Sequence, residues 1–242
     1  MADEAPQPLR VRGHAEALDL RLPEVGAATA APVVQFAAQQ RSALPQPQAQ
    51  AGYVALRGGG IGVRVVLPET TPPGTYEGTV EIAGQQQPFV AEVHPRAQLI
   101  LTPALLELAA KPGSSATGRL VAVNAGNLVL DLPARQHIGL FDVAGVDRSL
   151  GRTWSAKAEG LERWGILADE LAESFGGHTQ LLIREGAGPL SPGEERELEI
   201  EVPVGADIPA GVSYFGHCRI ADSPLAVRVT VLAGEPDANK GA

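Results

Sequence analysis

The single cysteine of this 242-residue chain, Cys218, stands between His217 and Arg219 in the stretch SYFGHCRI, Ser213 to Ile220. A thiol beside an imidazole is the pairing that a cysteine nucleophile needs, and Cys with His is also half of a soft metal site. Both chemistries require the two side chains to converge. The stretch alternates like a β-strand, so Tyr214, Gly216, Cys218 and Ile220 point one way while Phe215, His217 and Arg219 point the other. The pattern predicts an inward Cys218 that behaves as a small hydrophobe and an outward, solvent-facing His217.

The remaining candidates for chemistry are sparse. His14, His94, His137 and His178 are scattered without the spacing of a metal-binding motif. FDVAGVD, Phe141 to Asp147, has two aspartates but lacks the oxygen ladder of a calcium loop. RGGGIG, Arg57 to Gly62, has no Lys-Ser/Thr and no helix behind it, which favours a tight hairpin over a phosphate cradle. In GEERELEIEV, Gly193 to Val202, the acids Glu195, Glu197, Glu199 and Glu201 alternate with other residues and so line one face of a strand. A solvated face, at a sheet edge where it repels self-association, is the expectation there. No catalytic residue, metal site or cofactor is therefore expected.

Composition narrows the function classes. A net charge of −9 and the lack of any basic block argue against nucleic-acid binding. Residues 1–96 hold 7 basic and 9 acidic side chains, so most of the negative charge belongs to the rest of the chain. One cysteine excludes an internal disulfide, and no apolar run is long enough to span a bilayer as a helix. The opening MADEAPQPLRVRG lacks a signal-peptide pattern, and an Ala-Asp-Glu-Ala-Pro start is of the kind found just after a cleavage site. The expected compartment is periplasmic or extracellular, with the cytoplasm as the alternative.

With 28 Gly, 20 Pro and only 4% aromatics, the chain calls for many short strands joined by tight turns. Alternating runs predict strands at Leu9–Arg12, Ala17–Leu22, Val33–Ala37, Tyr53–Arg57, Gly62–Leu67, Thr75–Ile82 and Pro88–Val93. The Gln/Pro/Ala-rich segment from Gln39 to Gly52 reads as an exposed loop. A second set of strands covers Leu99–Thr102, Leu105–Ala109, Ala116–Asn124, Leu128–Leu132, Ile138–Val143, Gln180–Arg184, Arg196–Val202, Ser213–Ile220 and Leu225–Val231. Between them KAEGLERWGILADELAESF, Lys157 to Phe175, places Leu161, Trp164, Leu167 or Ala168, Leu171 and Phe175 at helical spacing, with Glu and Asp on the other face and Gly176-Gly177 as a stop.

The chain also repeats itself. Val65 to Val93 and Glu201 to Val231 share a strand ending in Pro, a Pro and Gly turn, then Tyr, Gly and alternating residues, so that Tyr76, Gly78 and Ile82 match Tyr214, Gly216 and Ile220. Two related domains follow, at 9–95 and 96–233, with disordered ends at 1–8 and 234–242. The Pro-Gly-x-Tyr-x-Gly hairpin resembles those of bacterial immunoglobulin-like and fibronectin-like sandwiches. LTPALLELAAKPGSSATGRLVAVNAGNLVLDL, Leu101 to Leu132, with Asn124, Gly126 and Asn127, is similar to the opening of the ASPM/SPD-2/Hydin and PapD-like immunoglobulin-like domains. The resemblance implies an all-β protein of two tandem immunoglobulin-like β-sandwiches, the second carrying the short α-helical insertion.

This fold implies no activity. The expectation is a non-enzymatic protein-binding or scaffolding subunit of a bacterial cell-envelope assembly, with a protein partner and no nucleic acid. Alternatives are a PapD-like periplasmic chaperone for pilus subunits, for which no paired basic cleft residues are found, and an accessory subunit of an enzyme or electron-transfer complex. The insertion is the one feature that the fold does not demand. It is either a cap with Trp164 and Phe175 buried, or a docking element that presents Trp154, Trp164 and Phe175 beside an acidic flank.

Overall fold

The computed structural model describes residues 8–21, 31–36, 47–55 and 61–233. The predicted disordered ends, residues 1–7 and 234–242, lie outside these, as do Leu22, Ala37, most of the Gln39 to Gly52 loop, and Arg57 to Gly60 of the glycine hairpin. The protein is predominantly β and divides into two compact units. The first comprises residues 1–98 with Asn124–Val129 and Ser191–Glu194, and the second holds the remainder.

The first unit contains β1 (Leu9–Gly13), β2 (Leu18–Arg21), β3 (Val33–Phe36), β4 (Gln50–Ala55), β5 (Ile61–Val66), β6 (Gly74–Ile82) and β7 (Gln85–Val93). They form one sheet in the order β1-β7-β6-β3 and another in the order β2-β5-β4. Period-two alternation decides which side chains are inside. Leu18, Val63, Val65, Tyr76, Val80, Phe89 and Ala91 form its core, while Thr75, Glu77, Thr79 and Glu81 stay on the other face of β6. Gln50 to Gly52, expected as the end of a loop, belong to β4 because they pair with Val66 to Arg64.

Two buried asparagines explain the Asn-x-Gly-Asn motif. Asn127 accepts the Arg96 N–H at 2.6 Å and donates to the His94 carbonyl at 3.0 Å, while Asn124 accepts the Gly126 N–H at 3.0 Å and donates to the Leu128 carbonyl at 2.8 Å. Each amide spans both a donor and an acceptor, which is how a buried polar side chain offsets its desolvation. Between them Gly126 is required by space, since a Cβ there would stand 2.2 Å from the Arg96 carbonyl oxygen.

The second unit runs β8 (Leu99–Thr102), β9 (Leu105–Ala110), β10 (Ser115–Asn124), β11 (Leu130–Leu132), β12 (Arg135–Asp142), α1 (Gly145–Ser155), α2 (Gly160–Glu173), β13 (Phe175–Glu185), β14 (Gly188–Leu190), β15 (Glu195–Pro203), β16 (Ser213–Ile220) and β17 (Ser223–Val231). Its strand order is β8-β10-β15-β13-β12-β16-β17-β9, with β11 and β14 paired separately. Leu120, Leu181, Leu198, Ile200, Ile220, Leu225 and Val227 are among its fully or almost fully buried residues. The acid-rich strand is not at an edge, because β15 lies between β10 and β13. Three of its carboxylates face cross-strand cations: Glu197 pairs with Arg119 at 2.9 Å, Glu199 lies 3.7 Å from the same guanidinium, and Glu201 pairs with Arg184.

The internal repeat is visible as geometry. In β6–β7, Tyr76 pairs with Ala91 and Val80 with Gln87; in β16–β17, Tyr214 pairs with Val229 and Cys218 with Leu225, every position displaced by 138 residues. Both turns place two residues at positive φ, Ala83-Gly84 and Ala221-Asp222, the conformation of a two-residue hairpin that matches strand twist. The parallel neighbours agree as well, β7 against β1 and β17 against β9.

Candidate functional site

The thiol–imidazole pairing dissolves in the strand. Cys218 is buried beside Ile220 and Tyr214, whereas His217 is exposed on the opposite face with its ring 4.5 Å from that of Phe215. Burial pushes the Cys218 thiol up to about 11, the reverse of what a nucleophile needs. Among the described residues no group of three or more His, Cys, Asp and Glu is placed to hold a metal ion. No described helix is long and apolar enough to cross a membrane.

The insertion is where the second unit departs from its strands. It occupies the connection between β12 and β13, and it consists of two helices rather than the single one expected over 157–175. The missed helix is α1. Its Gly145, Gly151 and polar Arg and Ser residues mask the period, and its packed side uses only small residues: Gly145, Ser149 and Thr153. The Ser149 hydroxyl donates to the Gly145 carbonyl at 2.8 Å and Thr153 to the Ser149 carbonyl at 2.7 Å, so the buried hydroxyls are satisfied within the helix.

Electrostatic ties fix the base of the insertion. The Asp142 carboxylate accepts the Ala144 N–H at 2.9 Å and meets the Arg148 guanidinium, while Arg152 of α1 reaches Glu170 of α2 at 2.9 Å. Asp142, Arg148, Arg152 and Glu170 line a cleft of about 250 Å³ together with Tyr214. Burial, and then the Asp142 charge, hold the Tyr214 phenol above its ordinary value. Each cation in the cleft faces a carboxylate, and a third carboxylate, Glu173, lines it 4.0 Å from Arg152.

α2 leaves its apolar side uncovered. Arg163, Ile166, Leu167 and Glu170 are half-buried on the side turned to α1, where Arg163 sits 5.9 Å from the Trp154 ring. No residue of α2 is buried. Leu161 is 89% exposed and both tryptophans are 62% exposed. The cap expectation therefore fails for Trp164, whose side chain meets water.

Phe175 proves to be a different kind of residue from the tryptophans. It is the first residue of β13, outside α2, and pairs across the strand with Phe141, their rings 4.9 Å apart, with His178 equally near on its other side. Gly176-Gly177, expected as a helix stop, are strand residues, and the helix ends at Glu173 with Ser174 as its C-cap. On α1, Val146, Leu150 and Trp154 form a second exposed row at a spacing of four. That row was readable in the sequence once a helix was granted at 145–155.

No family model and no curated protein matches the chain. Solved structures do. PapD-like domain 7 of human CEP192 is 9% identical over 57% of this chain and 88% of its own, with a TM-score of 0.30. A titin A168169 structure is 12% identical over 96% of this chain and 97% of its own, at 0.32. A protein of unknown function from Porphyromonas gingivalis W83 is 11% identical over 93% and 96%, at 0.29. At such scores the likenesses carry no functional argument, and the β architecture rests on the strand order described above.

Proposed function

We propose that the chain is a non-catalytic protein-binding or scaffolding module made of two immunoglobulin-like sandwiches in tandem, residues 9–95 and 96–233, serving an assembly of the bacterial cell envelope. The observation that carries the binding role is the insertion's uncovered face. Trp154 and Trp164 are both well exposed, and aromatic residues held on a rigid element are frequent interface anchors. Their helices are held in place from the opposite side by the Arg152–Glu170 and Arg148–Asp142 pairs. An envelope setting follows the PapD-like and Hydin-like resemblance of the second sandwich.

Affinity capture with the intact protein in an extract of its source organism, followed by mass spectrometry, tests the reading. A stoichiometric protein partner is expected. Recovery of the bait alone would sink the binding role.

A further inference from the structure

The cleft of the insertion is built by four elements: Asp142 of β12, Arg148 and Arg152 of α1, Glu170 and Glu173 of α2, and Tyr214 of β16. Three carboxylates against two guanidiniums leave it one negative charge in surplus. Asp142 takes Arg148 and Glu170 takes Arg152 at 2.9 Å, so the surplus is Glu173, 4.0 Å from Arg152 and 75% exposed. A second, independent observation is Tyr214. It is only 5% exposed, yet its hydroxyl has no hydrogen-bond partner among the described residues, although the charges of Asp142 and Arg148 act on it. In the first unit the matching Tyr76 hydroxyl is satisfied by the Pro72 carbonyl. A buried hydroxyl without a partner is costly, and this one opens onto the cleft. Burial, and then the Asp142 charge, keep the phenol protonated at neutral pH, so its oxygen can accept a hydrogen bond without adding a charge.

We infer that the cleft binds one organic cation, a protonated alkylamine or alkylguanidinium, whose charged head meets Glu173 and the Tyr214 hydroxyl and whose short stem lies along Pro209 and Val212. A bound cation neutralises the surplus, whereas an anion doubles it. The start of α1, which would favour an anion, is already capped by Asp142 through the Ala144 N–H. Among the described residues no three acids are placed to hold a metal ion, which leaves a molecular cation. Size restricts it further: about 250 Å³ is less than the roughly 300–1,000 Å³ of a site for a drug-sized ligand, and suits a single side chain or a small amine. The same chemistry is offered by a free amine and by a lysine or arginine side chain of a protein partner, and the second source rests on the binding role proposed above.

Tyrosine-ring NMR of the intact protein reads the site, since the chain has only 3 tyrosines and Tyr214→Phe identifies the Tyr214 signal. The probes are butylammonium, butylguanidinium and their anionic counterpart butyrate, at an ionic strength held constant with sodium chloride. Either cation is expected to move the Tyr214 signal saturably, with a Kd of about 1–10 mM, the range open to so few atoms, while butyrate leaves it in place. Glu173→Gln should weaken the cations about threefold, the effect of one exposed charge. Glu173→Lys, at the same exposed position, should reverse the preference in favour of butyrate. No saturable movement by either cation, an equal response to butyrate, or a response that Glu173→Lys leaves unchanged would each overturn the inference. A five-residue peptide with a central lysine, and its glutamine twin, separate the sources. A lysine peptide that binds at least about tenfold tighter than butylammonium, with the twin silent, assigns the cleft to a protein partner's side chain; one that binds no tighter assigns it to a free amine. Failure of both cations removes this site and leaves the binding role standing, whereas cation binding with no partner captured from an extract removes the binding role and keeps the site.

Discussion

The Tyr76 hydroxyl donates a 2.7 Å hydrogen bond to the carbonyl oxygen of Pro72, four residues upstream, tying the start of β6 to the turn before it. Its repeat counterpart Tyr214 is buried as well but makes no such bond to the backbone among the described residues, and instead lines the cleft beneath α1. The same residue type thus closes a corner in one unit and lines a cleft in the other. Tyr76→Phe removes only the hydroxyl and should lower the stability of the first unit by about 1 kcal/mol, the net value of one hydrogen bond. Tyr214→Phe should change the stability of the second unit by less than about 0.5 kcal/mol. Urea unfolding of the two variants in parallel checks the contrast, and equal losses would refute it.

Cys218 should label slowly with a bulky disulfide reagent in the folded protein and rapidly in denaturant. With its thiol raised from 9.0 to about 11 by burial, it is almost wholly protonated at neutral pH. The linkage sign follows: the folded state holds this proton where the unfolded state has lost it, so stability is intact below pH 9.0 and declines as pH rises toward about 11. Tyr76 and Tyr214, both raised by burial, add to the decline above pH 10.0. Cys218→Val, which copies Val80 at the matching hairpin position, should flatten the part of the decline that begins near 9.0. An unchanged pH profile in that variant would assign the decline to the tyrosines alone.

Glu201 is a carboxylate held far below its ordinary range by its surroundings. The Arg184 guanidinium first, and then the Ser115 hydroxyl at 2.8 Å, hold it down to about 2 from 4.5. For a depressed carboxyl the contribution to folding is present above pH 4.5 and fades as pH falls toward about 2. Carboxyl-carbon NMR titration should therefore find Glu201 still ionised well below pH 4.5. Arg184→Gln should bring Glu201 back toward 4.5, and a Glu201 that titrates near 4.5 in the parent protein would show that the pair is not formed in solution.

The strands were legible because a half-buried sheet writes itself as alternation, and β16 shows how far that goes. Tyr214, Gly216, Cys218 and Ile220 are buried, while His217 and Arg219 are exposed, as the period of two requires. What the period does not contain is a strand's place in a sheet. The acids of β15 read the same at an edge or in the middle, and only the pairing with β10 and β13 reveals that Glu197 and Glu201 have cationic neighbours across the ladder. Helix α1 was hidden for a related reason. Its packed side is Gly145, Ser149 and Thr153, and its apolar side Val146, Leu150 and Trp154 faces outward, so the usual association of apolar with buried is inverted. The same inversion made Trp164 look like core.

That inversion predicts that the two sides of the insertion respond oppositely to substitution. On the packed side a Cβ at Gly145 would lie 2.4 Å from the Ser174 Cβ and 2.9 Å from the Asp142 Cβ, neither of which is the far end of a flexible chain. Gly145→Ala must then push α1 away from the end of α2, with a loss of about 1–3 kcal/mol from overpacking. On the open side Trp154→Ala and Trp164→Ala delete far more atoms yet leave no cavity, because these rings are 62% exposed. Each should shift stability by no more than about 0.5 kcal/mol. Thermal unfolding of the three variants, with acrylamide quenching of both tryptophans in the parent as a control for exposure, distinguishes the outcomes. A large loss from either tryptophan change, or tryptophans shielded from acrylamide in the isolated protein, would mean that the helices fold inward and that the face proposed for a partner is already covered.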